Sequence, residues 1–559
     1  MQDAIKRRIA IEKEIDWDHL PKHVKASEFK DLKWATTEDD LKERLLRIRA
    51  LQTETTLKLA DDIKEKSMQR IAKRQMKYEE EILTQDPVQK QRRILSEILK
   101  STAAALDMHT SYFTPDEAVQ FMINVQQRLF GIGAQLRDDI NGFTVVKLVE
   151  GGPAALSKEL KVKDRIIAVN GEPVIGMDIK DAVELIRGEE KTPVVLTVIR
   201  ESGEDSKKGE EKLDIELQRA EVVLKESRYE SSYEAYADGG FIYLKLYSFY
   251  QDPDSSSAAD LLGEIEKLKK KYHVEGVILD LRYNSGGILS QAVSVTGLFI
   301  NKGVVVSIKD ETGQIQHLRN LEGKPAWSGP LIVLVSRGSA SASEIVAQTL
   351  QDYGRAIIVG DDHTFGKGSF QTFTLNTTAK NDAINPQGEY KVTRGRYYTV
   401  SGGTPQLIGV VSDIVVPGPL SELEIGEKFS KFPLESDKIP ANFIDTFSDI
   451  PFFQREKIRS QYQFNMQLRQ HTYEPYMEQL KENSALRIEN NKNYQNFIKE
   501  LKKNGDVEEE SSEEIGQSDL QLFETYNIMR DLLFLMYQKE HKSTVEIKKS
   551  QSVPVQQAA

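Results

Sequence analysis

The stretch Leu331–Gln371, LIVLVSRGSASASEIVAQTLQDYGRAIIVGDDHTFGKGSFQ, carries the strongest local signals in the chain. Its first five residues, Leu331–Val335, are all apolar and predict a strand that is buried on both faces. Glu344–Asp352 has the spacing of a helix, and Ala356–Val359 predicts a second buried strand. A serine at a strand-to-helix turn, followed by a lysine between two glycines, is typical of a Ser-Lys catalytic pair.

Lys367 has the surroundings that a catalytic base of this type needs. A lysine accepts a proton only when it is neutral, which burial or neighbouring positive charge favours. Gly366 and Gly368 flank Lys367, and their missing side chains allow other backbone to pack closely over it. The sequence therefore predicts Lys367 as a general base for a nearby nucleophile.

Three serines compete for the role of nucleophile: Ser339, Ser341 and Ser343. Ser341 and Glu344 also fit the S-x-x-E capping box, so a helix N-cap is the structural interpretation of Ser341. The two interpretations are compatible, because a nucleophile at a helix N-terminus gains from the dipole and the adjacent N–H groups.

An acyl-transfer site also needs donors for the oxyanion that develops in the reaction. Gly286 and Gly287 end a predicted buried strand and can present a bare N–H, and the N–H of Ala342 follows Ser341 directly. A plain turn at the strand end is the structural alternative for the two glycines.

Two histidines offer rival chemistry. His363 with Asp352 or Asp361 would make a Ser-His-Asp triad. His109 could act as a base, but it has no carboxylate partner at helical spacing, so we interpret it as structural. No HExxH, EF-hand or P-loop pattern is present, so the sequence predicts no metal and no nucleotide cofactor.

The bulk composition narrows the function classes. The chain has 559 residues, a formal charge of −12 and no cysteine. The length predicts roughly three to four domains, and the negative charge argues against nucleic-acid binding. Disulfides, thiol nucleophiles and Cys-type zinc sites are excluded. No apolar run is long enough to span a membrane, and the first residues lack the apolar segment of a secretory signal.

Changes in pattern along the chain predict a multidomain α+β fold. Residues 1–120 are charged and helical, and the Gly- and Pro-free segment 39–83 predicts one or two long helices. MHTSYFTP, residues 108–115, is interpreted as a polar-aromatic turn. Residues 121–222 alternate short strands with turn signals, and 223–421 alternate strands with helices, which predicts an α/β sheet.

The remainder, residues 422–559, is predicted to be helical again. It contains an acidic loop at 505–516 and a polar tail from Glu540 that we expect to be disordered. A stripe of apolar side chains is predicted to join the core: Leu522, Phe523, Tyr526, Met529, Leu532, Leu533 and Met536.

The order of elements in 121–222 resembles a PDZ domain of the permuted bacterial kind. GFTVVKLVEGGPAAL, KDRIIAVNGEPV and PVVLTVIR follow one another there. The resemblance places the carboxylate-binding loop at Gly131, Ile132, Gly133 and Ala134. Such a loop converges backbone N–H groups on a terminal carboxylate while the ligand adds a strand to the sheet edge.

The wider set of motifs resembles the carboxyl-terminal processing peptidases, in particular the long bacterial branch of tail-specific proteases. The motifs are GSASASEI, TFGKGSFQ, VILDLRYNSGG and MHTSYFTP, together with the PDZ-like module. The resemblance implies an α/β serine-protease core with an inserted PDZ domain and flanking helical regions. It further implies substrates with apolar C-termini, no cofactor or metal, and a periplasmic location.

The same resemblance assigns roles at matching positions. Ser341 would be the nucleophile, Lys367 the general base and Gln371 the residue that orients the lysine. Gly287, with Gly286 as the alternative, would form the oxyanion hole with Ala342. The chain departs from the family pattern by Met108 and Ser412 in place of proline and by one extra residue in GDDHTFGKG, which bears on the loop around Lys367.

Two further hypotheses stay open at this stage. An inactive protease-like PDZ scaffold or chaperone is the alternative function, although the set of Ser341, Lys367 and Gln371 argues against it. The chain's own end, VQQAA, is small and uncharged like a substrate tail, so self-trimming is possible. The helical regions are where we expect a second copy of the chain or an adaptor protein to bind.

Overall fold

A computed structural model describes most of the chain. The described residues are 2–17, 19–22, 24, 26–29, 35–56, 79, 82–84, 86–139, 142–175, 177–202, 209–223, 228–373, 388–504 and 519–551. The predicted acidic loop 505–516 and the last eight residues of the predicted tail lie outside this part, as does most of the second half of the predicted long helical segment.

Thirteen α-helices are described. They are α1 Gln2–Glu12, α2 Glu38–Thr56, α3 Pro87–Leu106, α4 Pro115–Gln126, α5 Pro153–Ser157, α6 Ile179–Ile186, α7 Ser257–Lys271, α8 Leu289–Gly297, α9 Ala342–Asp352, α10 Phe452–Tyr462, α11 Met477–Asn490, α12 Lys492–Asn504 and α13 Leu520–Gln551. Short 3₁₀ turns occupy Ala26–Phe29, Glu427–Phe429 and Glu474–Tyr476. None of the described helices has both the length and the apolar character needed to cross a bilayer.

The described strands number nineteen. They are β1 Ser111–Phe113, β2 Arg128–Gly131, β3 Ala134–Asp139, β4 Gly142–Leu148, β5 Arg165–Val169, β6 Glu172–Pro173, β7 Pro193–Ser202, β8 Gly209–Gln218, β9 Ala220–Val223, β10 Tyr229–Tyr236, β11 Gly239–Leu246, β12 Gly276–Asp280, β13 Gly303–Asp310, β14 Ile315–Asn320, β15 Leu331–Val335, β16 Ile357–Gly360, β17 Ser369–Phe373, β18 Glu389–Thr399 and β19 Ile414–Val415.

The chain divides into two compact units, the first of which comprises residues 1–98 and 128–224. Its main sheet has the order β3-β4-β5-β7-β8, with β6 paired to β5, and β2 pairs separately with β9. Val194, Leu196 and Val198 alternate along β7 and are fully buried, because successive side chains of a strand point to opposite faces. They pack with the apolar side chains of α5 and α6 in one core.

The second unit comprises residues 99–127 and 225–559. Its central sheet has the order β10-β11-β12-β15-β16-β19, in which every pairing except β10 with β11 is parallel. Leu331, Val333 and Val335 enter the core on one face of β15, whereas Ile332 and Leu334 enter the core on the other face. The prediction of a doubly buried strand is therefore confirmed.

A second sheet of this unit positions the lysine loop. Its order is β1-β18-β13-β14, and β17 pairs with β18. The interpretation of residues 108–115 as a turn is wrong in part, because Ser111–Phe113 forms β1, in which Ser111 pairs with Lys391 and Phe113 with Glu389. The partner strand lies about 280 residues away in the sequence, so no local pattern could indicate the pairing.

The C-terminal region differs from its prediction at both ends. Residues 422–451 contain no α-helix and only one described 3₁₀ turn, since Pro433, Pro440 and Pro451 interrupt any helical run. In contrast, α13 continues through the predicted disordered tail as far as Gln551, because the segment contains neither Gly nor Pro. The predicted stripe on α13 packs into the core with one exception: Phe523 is 55% exposed.

The start of α13 is anchored to two segments that lead to the candidate site. Asp519 accepts hydrogen bonds from the guanidinium of Arg282 at 2.7 and 2.8 Å, and Arg282 also pairs with the buried Asp280 at the end of β12. Gln521 Nε2 donates to Asp361 Oδ1 at 3.0 Å. The first segment continues into the Gly286-Gly287 turn, and the second into the Lys367 loop.

Candidate active site

Ser341 lies between β15 and α9 with an unusual backbone. Its φ is +55°, a region that non-glycine residues rarely occupy and that typically costs about 1–3 kcal/mol. Such backbone is found at functional positions more often than elsewhere, and here it lies immediately before the first helical residue. The side chain is partly exposed, so a substrate can reach it.

The other two candidate serines have structural partners. Ser339 Oγ donates to Leu281 O at 2.8 Å and accepts from Ser336 N. Ser343 Oγ donates to Asn284 O at 2.7 Å. Both side chains are fully buried. Among the three serines, burial and hydrogen bonding leave Ser341 as the one available for chemistry.

Lys367 is held in surroundings that favour its neutral form. Burial, followed by the positive charge of Lys391, lowers the pKa of Lys367 from 10.5 to about 8, against the opposing charges of nearby acidic groups. Its Nζ donates to Gln371 Oε1 at 2.7 Å. A Cβ on Gly366 would lie 3.1 Å from the backbone of Leu407, and one on Gly368 would lie 2.9 Å from Gln406 N. Other backbone therefore packs closely against both glycines beside the lysine, as predicted.

Glu344 ties the serine turn to the lysine loop. Its Oε2 accepts from the backbone N–H of Ser341 at 2.8 Å and of Lys367 at 2.9 Å. Its Oε1 accepts from Gly366 N and from Thr364 Oγ1, both at 2.6 Å. Burial raises the pKa of Glu344 to about 7, although these four hydrogen bonds oppose the rise. One buried carboxylate therefore fixes the backbone on both sides of the site.

Tyr397 joins the same two segments through their carbonyl groups. Its hydroxyl lies 3.1 Å from Ser341 O and also hydrogen-bonds Lys367 O. In the described part of the chain, however, no hydrogen bond joins Ser341 Oγ to Lys367 Nζ. The structure thus brings the two residues to the same site through their backbones while their reactive atoms remain unconnected.

The glycine turn of the predicted oxyanion hole packs directly against the serine. A Cβ on Gly286 would lie 2.8 Å from Ser341 Cβ and 3.0 Å from Ala342 N. The N–H of Gly286 donates to Asn284 Oδ1 at 2.9 Å. Within the described residues, the N–H groups of Gly287 and Ala342 have no protein acceptor. Gly287 and Ala342 are therefore the pair that is free to donate to an oxyanion.

The predicted carboxylate-binding loop belongs to the first compact unit. Gly131 ends β2 and Ala134 begins β3, so Ile132 and Gly133 form the connection. The carbonyls of Ile132 and Gly133 accept from Ala154 N and Val149 N, both at 2.8 Å. Within the described residues their own N–H groups have no protein acceptor, and Gly133 has a φ of +72°.

The rival histidines have other partners. His363 Nδ1 lies 2.7 Å from Thr364 O, and its Nε2 faces Lys428 Nζ at 3.2 Å. Asp352 and Asp361 each accept hydrogen bonds from other groups, so no His363 triad is formed. His109 Nε2 lies 2.8 Å from the buried Glu427, a carboxylate partner that is distant in the sequence. The lack of such a partner therefore no longer supports the structural interpretation of His109, which stays a prediction.

Sequence reasoning missed several groups at the site. Glu344 was visible only as part of a capping box, and its contacts with the lysine loop had no local signal. Tyr397 and Thr393 lie on β18, which reaches the site only through sheet pairing. Ser412, which stands where the family usually has proline, donates to Asp361 O at 2.5 Å.

Comparisons with known proteins match three segments of the chain. "Peptidase family S41" matches residues 240–416, "PDZ domain" matches 144–200 and "Tail specific protease N-terminal domain" matches 2–116. These matches confirm the predicted multidomain α+β fold with a protease core, a PDZ domain and a helical N-terminal region. The matched boundaries are narrower than the predicted ones, which stay predictions.

Two relatives identified by sequence agree with the family matches. The chain is 36% identical over 349 residues to a tail-specific protease of Haemophilus influenzae, covering 61% of this chain but 48% of that protein. It is 33% identical over 334 residues to a carboxy-terminal-processing protease of Bartonella bacilliformis, covering 59% of this chain and 71% of that protein. A solved photosystem II D1 C-terminal processing protease is 26% identical, covering 61% of this chain and 86% of that one, with a TM-score of 0.33. The match thus spans about half the length of the Haemophilus relative.

Proposed function

The chain belongs to the carboxy-terminal-processing proteases of peptidase family S41, and on that premise we propose that it is a Ser-Lys serine endopeptidase that recognises protein C-termini. The observation that carries the proposal is the lowered pKa of Lys367, at a position tied through Glu344 to the backbone of Ser341. A structural lysine gains nothing from such surroundings, whereas a general base requires them.

In the first half of the proposed reaction, Lys367 Nζ takes the hydroxyl proton of Ser341 while Oγ bonds to the scissile carbonyl carbon. The N–H groups of Gly287 and Ala342 receive the oxyanion. They suit this role because they have no other acceptor in the described chain. The C–N bond then breaks, and the proton passes from Lys367 to the leaving amine.

In the second half, a water molecule attacks the acyl carbon while Lys367 takes its proton. The ester bond to Ser341 breaks, and the proton returns to Oγ, which restores the free enzyme. Because Ser341 Oγ and Lys367 Nζ are not hydrogen-bonded, substrate binding must shorten this contact. Such tightening is common between unbound and substrate-bound sites. Gln371 holds Nζ through its 2.7 Å hydrogen bond.

The PDZ domain is proposed to select the substrate by its free C-terminus. The unpaired N–H groups of Ile132 and Gly133 support this role, because a terminal carboxylate can accept from both. An apolar tail would add a strand to the sheet edge beside Ala134 at the start of β3. Substrates are therefore expected to carry apolar, uncharged C-terminal residues.

Cleavage of an unfolded protein with and without an apolar C-terminal tag tests the proposal. The wild-type enzyme should degrade the tagged protein faster, and Ser341→Ala or Lys367→Ala should abolish cleavage while leaving binding of a tail peptide intact. Ser460→Ala and Lys324→Ala, at exposed positions outside the site, serve as matched controls and should cleave normally.

Other outcomes of this cleavage assay would each reject a different part of the proposal. Equal rates of cleavage for the tagged and untagged proteins would support protease activity but reject recognition of the C-terminus. Retained cleavage by purified Ser341→Ala would reject the nucleophile. If the wild-type chain binds tagged protein and prevents its aggregation without cutting it, the scaffold or chaperone function holds instead.

The periplasm is the compartment that we propose, from the resemblance to the tail-specific branch. Fractionation of cells that express the native gene tests it: the protein should be released together with soluble periplasmic markers. Recovery with cytoplasmic markers would contradict the proposal.

A further inference from the structure

The amide of Gln371 has a defined orientation behind the proposed base. Its Oε1 accepts from Lys367 Nζ at 2.7 Å, and its Nε2 donates to Ser369 Oγ at 3.0 Å and to Thr393 Oγ1 at 3.2 Å. A reversed amide would direct its NH₂ at the lysine nitrogen, where it has no acceptor on the ammonium form and occupies the lone pair of the neutral form. Something must therefore keep the oxygen on the lysine side.

Thr393 provides that constraint because its single hydroxyl proton is already used. Its Oγ1 donates to Asp107 Oδ1 at 2.9 Å. An ionised carboxylate only accepts hydrogen bonds, and a threonine hydroxyl has one proton to give. The oxygen of Thr393 can therefore only accept from Gln371, which places Nε2 on its side and Oε1 towards Lys367.

Asp107 is itself fixed by the turn that precedes β1. It accepts from the backbone N–H of His109 at 2.8 Å and of Thr110 at 2.9 Å, and from the hydroxyl of Thr110. Burial alone would raise the pKa of Asp107, but the hydrogen bonds from Thr110, His109 and Thr393 outweigh it and lower the pKa. Asp107 is thus a carboxylate at neutral pH, and the hydrogen bonds run in one direction.

We propose that Asp107 and Thr393 are positioning residues that set the orientation of the Gln371 amide and, through it, the direction of the Lys367 lone pair. The inference rests on the proposed Ser-Lys chemistry. A neutral lysine has two N–H bonds and one lone pair, so an N–H held by Gln371 limits the rotation of Nζ. With that N–H committed to Gln371, the lone pair stays free to take the proton of Ser341.

The test compares variants of Thr393 in the full chain. Thr393→Val keeps the volume but removes the hydroxyl, and it should lower kcat about tenfold with little change in KM, as expected for one lost orienting hydrogen bond. The loss should persist at pH 10, where Lys367 is neutral, since orientation and not protonation is affected. Thr393→Ser keeps the hydroxyl and should therefore retain the wild-type kcat.

A matched control and a double mutant exclude a merely structural role. Thr399 lies on the same strand and also donates to a carboxylate, Asp352 at 2.6 Å, but it does not contact the Lys367–Gln371 pair. Thr399→Val should retain the wild-type kcat per folded molecule. The folded fraction of each variant is determined from its thermal unfolding curve. In a Gln371→Ala background, Thr393→Val should have no further effect on kcat, because the two residues act in series.

Should Thr393→Val fail to fold, Asp107 provides a second comparison. Asp107→Asn keeps an oxygen that the N–H groups of His109 and Thr110 hold towards Thr393, so kcat should stay within about threefold of wild type, whereas Asp107→Ala should lose about tenfold. If the wild-type chain is an active peptidase, additive losses of kcat in the double mutant, or a wild-type kcat for Thr393→Val or Asp107→Ala, would overturn this inference but not the proposed function. A wild-type chain without peptidase activity would overturn the proposed function.

Discussion

The pH dependence of peptide cleavage follows from the pKa of Lys367 and distinguishes a lysine base from a histidine base. Only neutral lysine can take the proton of Ser341, so activity should rise as pH rises through about 8. At pH 7 about 9% of a base with this pKa is neutral, and at pH 9 about 91%, so kcat/KM should increase about tenfold between them. An unshifted pKa of 10.5 would leave about 0.03% neutral at pH 7.

The assay is kcat/KM for a fluorogenic peptide with a free apolar C-terminus, measured from pH 5.5 to 10. Lys391→Met removes the positive charge that helps to lower the pKa of Lys367, so it should move the midpoint of the profile to higher pH. Lys309→Met, which removes a cation paired with Asp437 instead, is the matched control and should leave the midpoint in place.

Two results would refute this reasoning. One is a midpoint near 6.5 that disappears when His109 or His363 is replaced by Asn, since it would identify a histidine base. The other is a midpoint that Lys391→Met does not move. Below pH 7 the fall in activity should steepen, because Glu344, with a pKa of about 7, then gains a proton and loses acceptor capacity at the site.

Three substitutions test the framework around the reactive atoms. Glu344→Gln turns an NH₂ towards backbone N–H donors, so it should lower kcat at least a hundredfold. It should also lower the free energy of unfolding, measured in urea, by about 1–3 kcal/mol. Gly286→Ala places a methyl group 2.8 Å from Ser341 Cβ at a φ of +105°, and burst kinetics should show slower acylation. Tyr397→Phe removes the hydroxyl that links Ser341 O to Lys367 O and should lower kcat about tenfold with KM unchanged. An unchanged kcat in Glu344→Gln or Tyr397→Phe, or an unchanged acylation rate in Gly286→Ala, would contradict the role of that group.

The sequence was sufficient wherever a single segment determines its own environment. Five consecutive apolar residues predicted that Leu331–Val335 is buried on both faces, because a strand in a parallel sheet has no polar face. The glycines around Lys367 likewise predicted close packing, since they remove the side chains that would prevent it. The family motifs supplied the choice of Ser341, which local sequence could not make.

What escaped prediction depends on groups that are distant in the sequence. Ser339 and Ser343 donate to the carbonyls of Leu281 and Asn284, which lie 58 and 59 residues away in the sequence, so no local signal could show that their hydroxyls are engaged. Thr393 gains its role only because β18 pairs with β17, which carries Gln371. Ser111–Phe113 lies in a mainly helical part of the sequence, but it joins a sheet whose other strands lie about 190 residues or more further along the chain. The helical pattern around it therefore gave no sign of a strand.

The anchoring of α13 determines when, during synthesis, two segments near the candidate site acquire their partners. Arg282 and Asp361, which precede the glycine turn and the lysine loop, both bond to residues at the start of α13. During synthesis from the N-terminus, a nascent chain contains Ser341, Lys367 and the PDZ domain well before Asp519 and Gln521 exist. The two segments therefore acquire these partners only after residue 521 has been synthesised, and a translation product truncated before that residue lacks them.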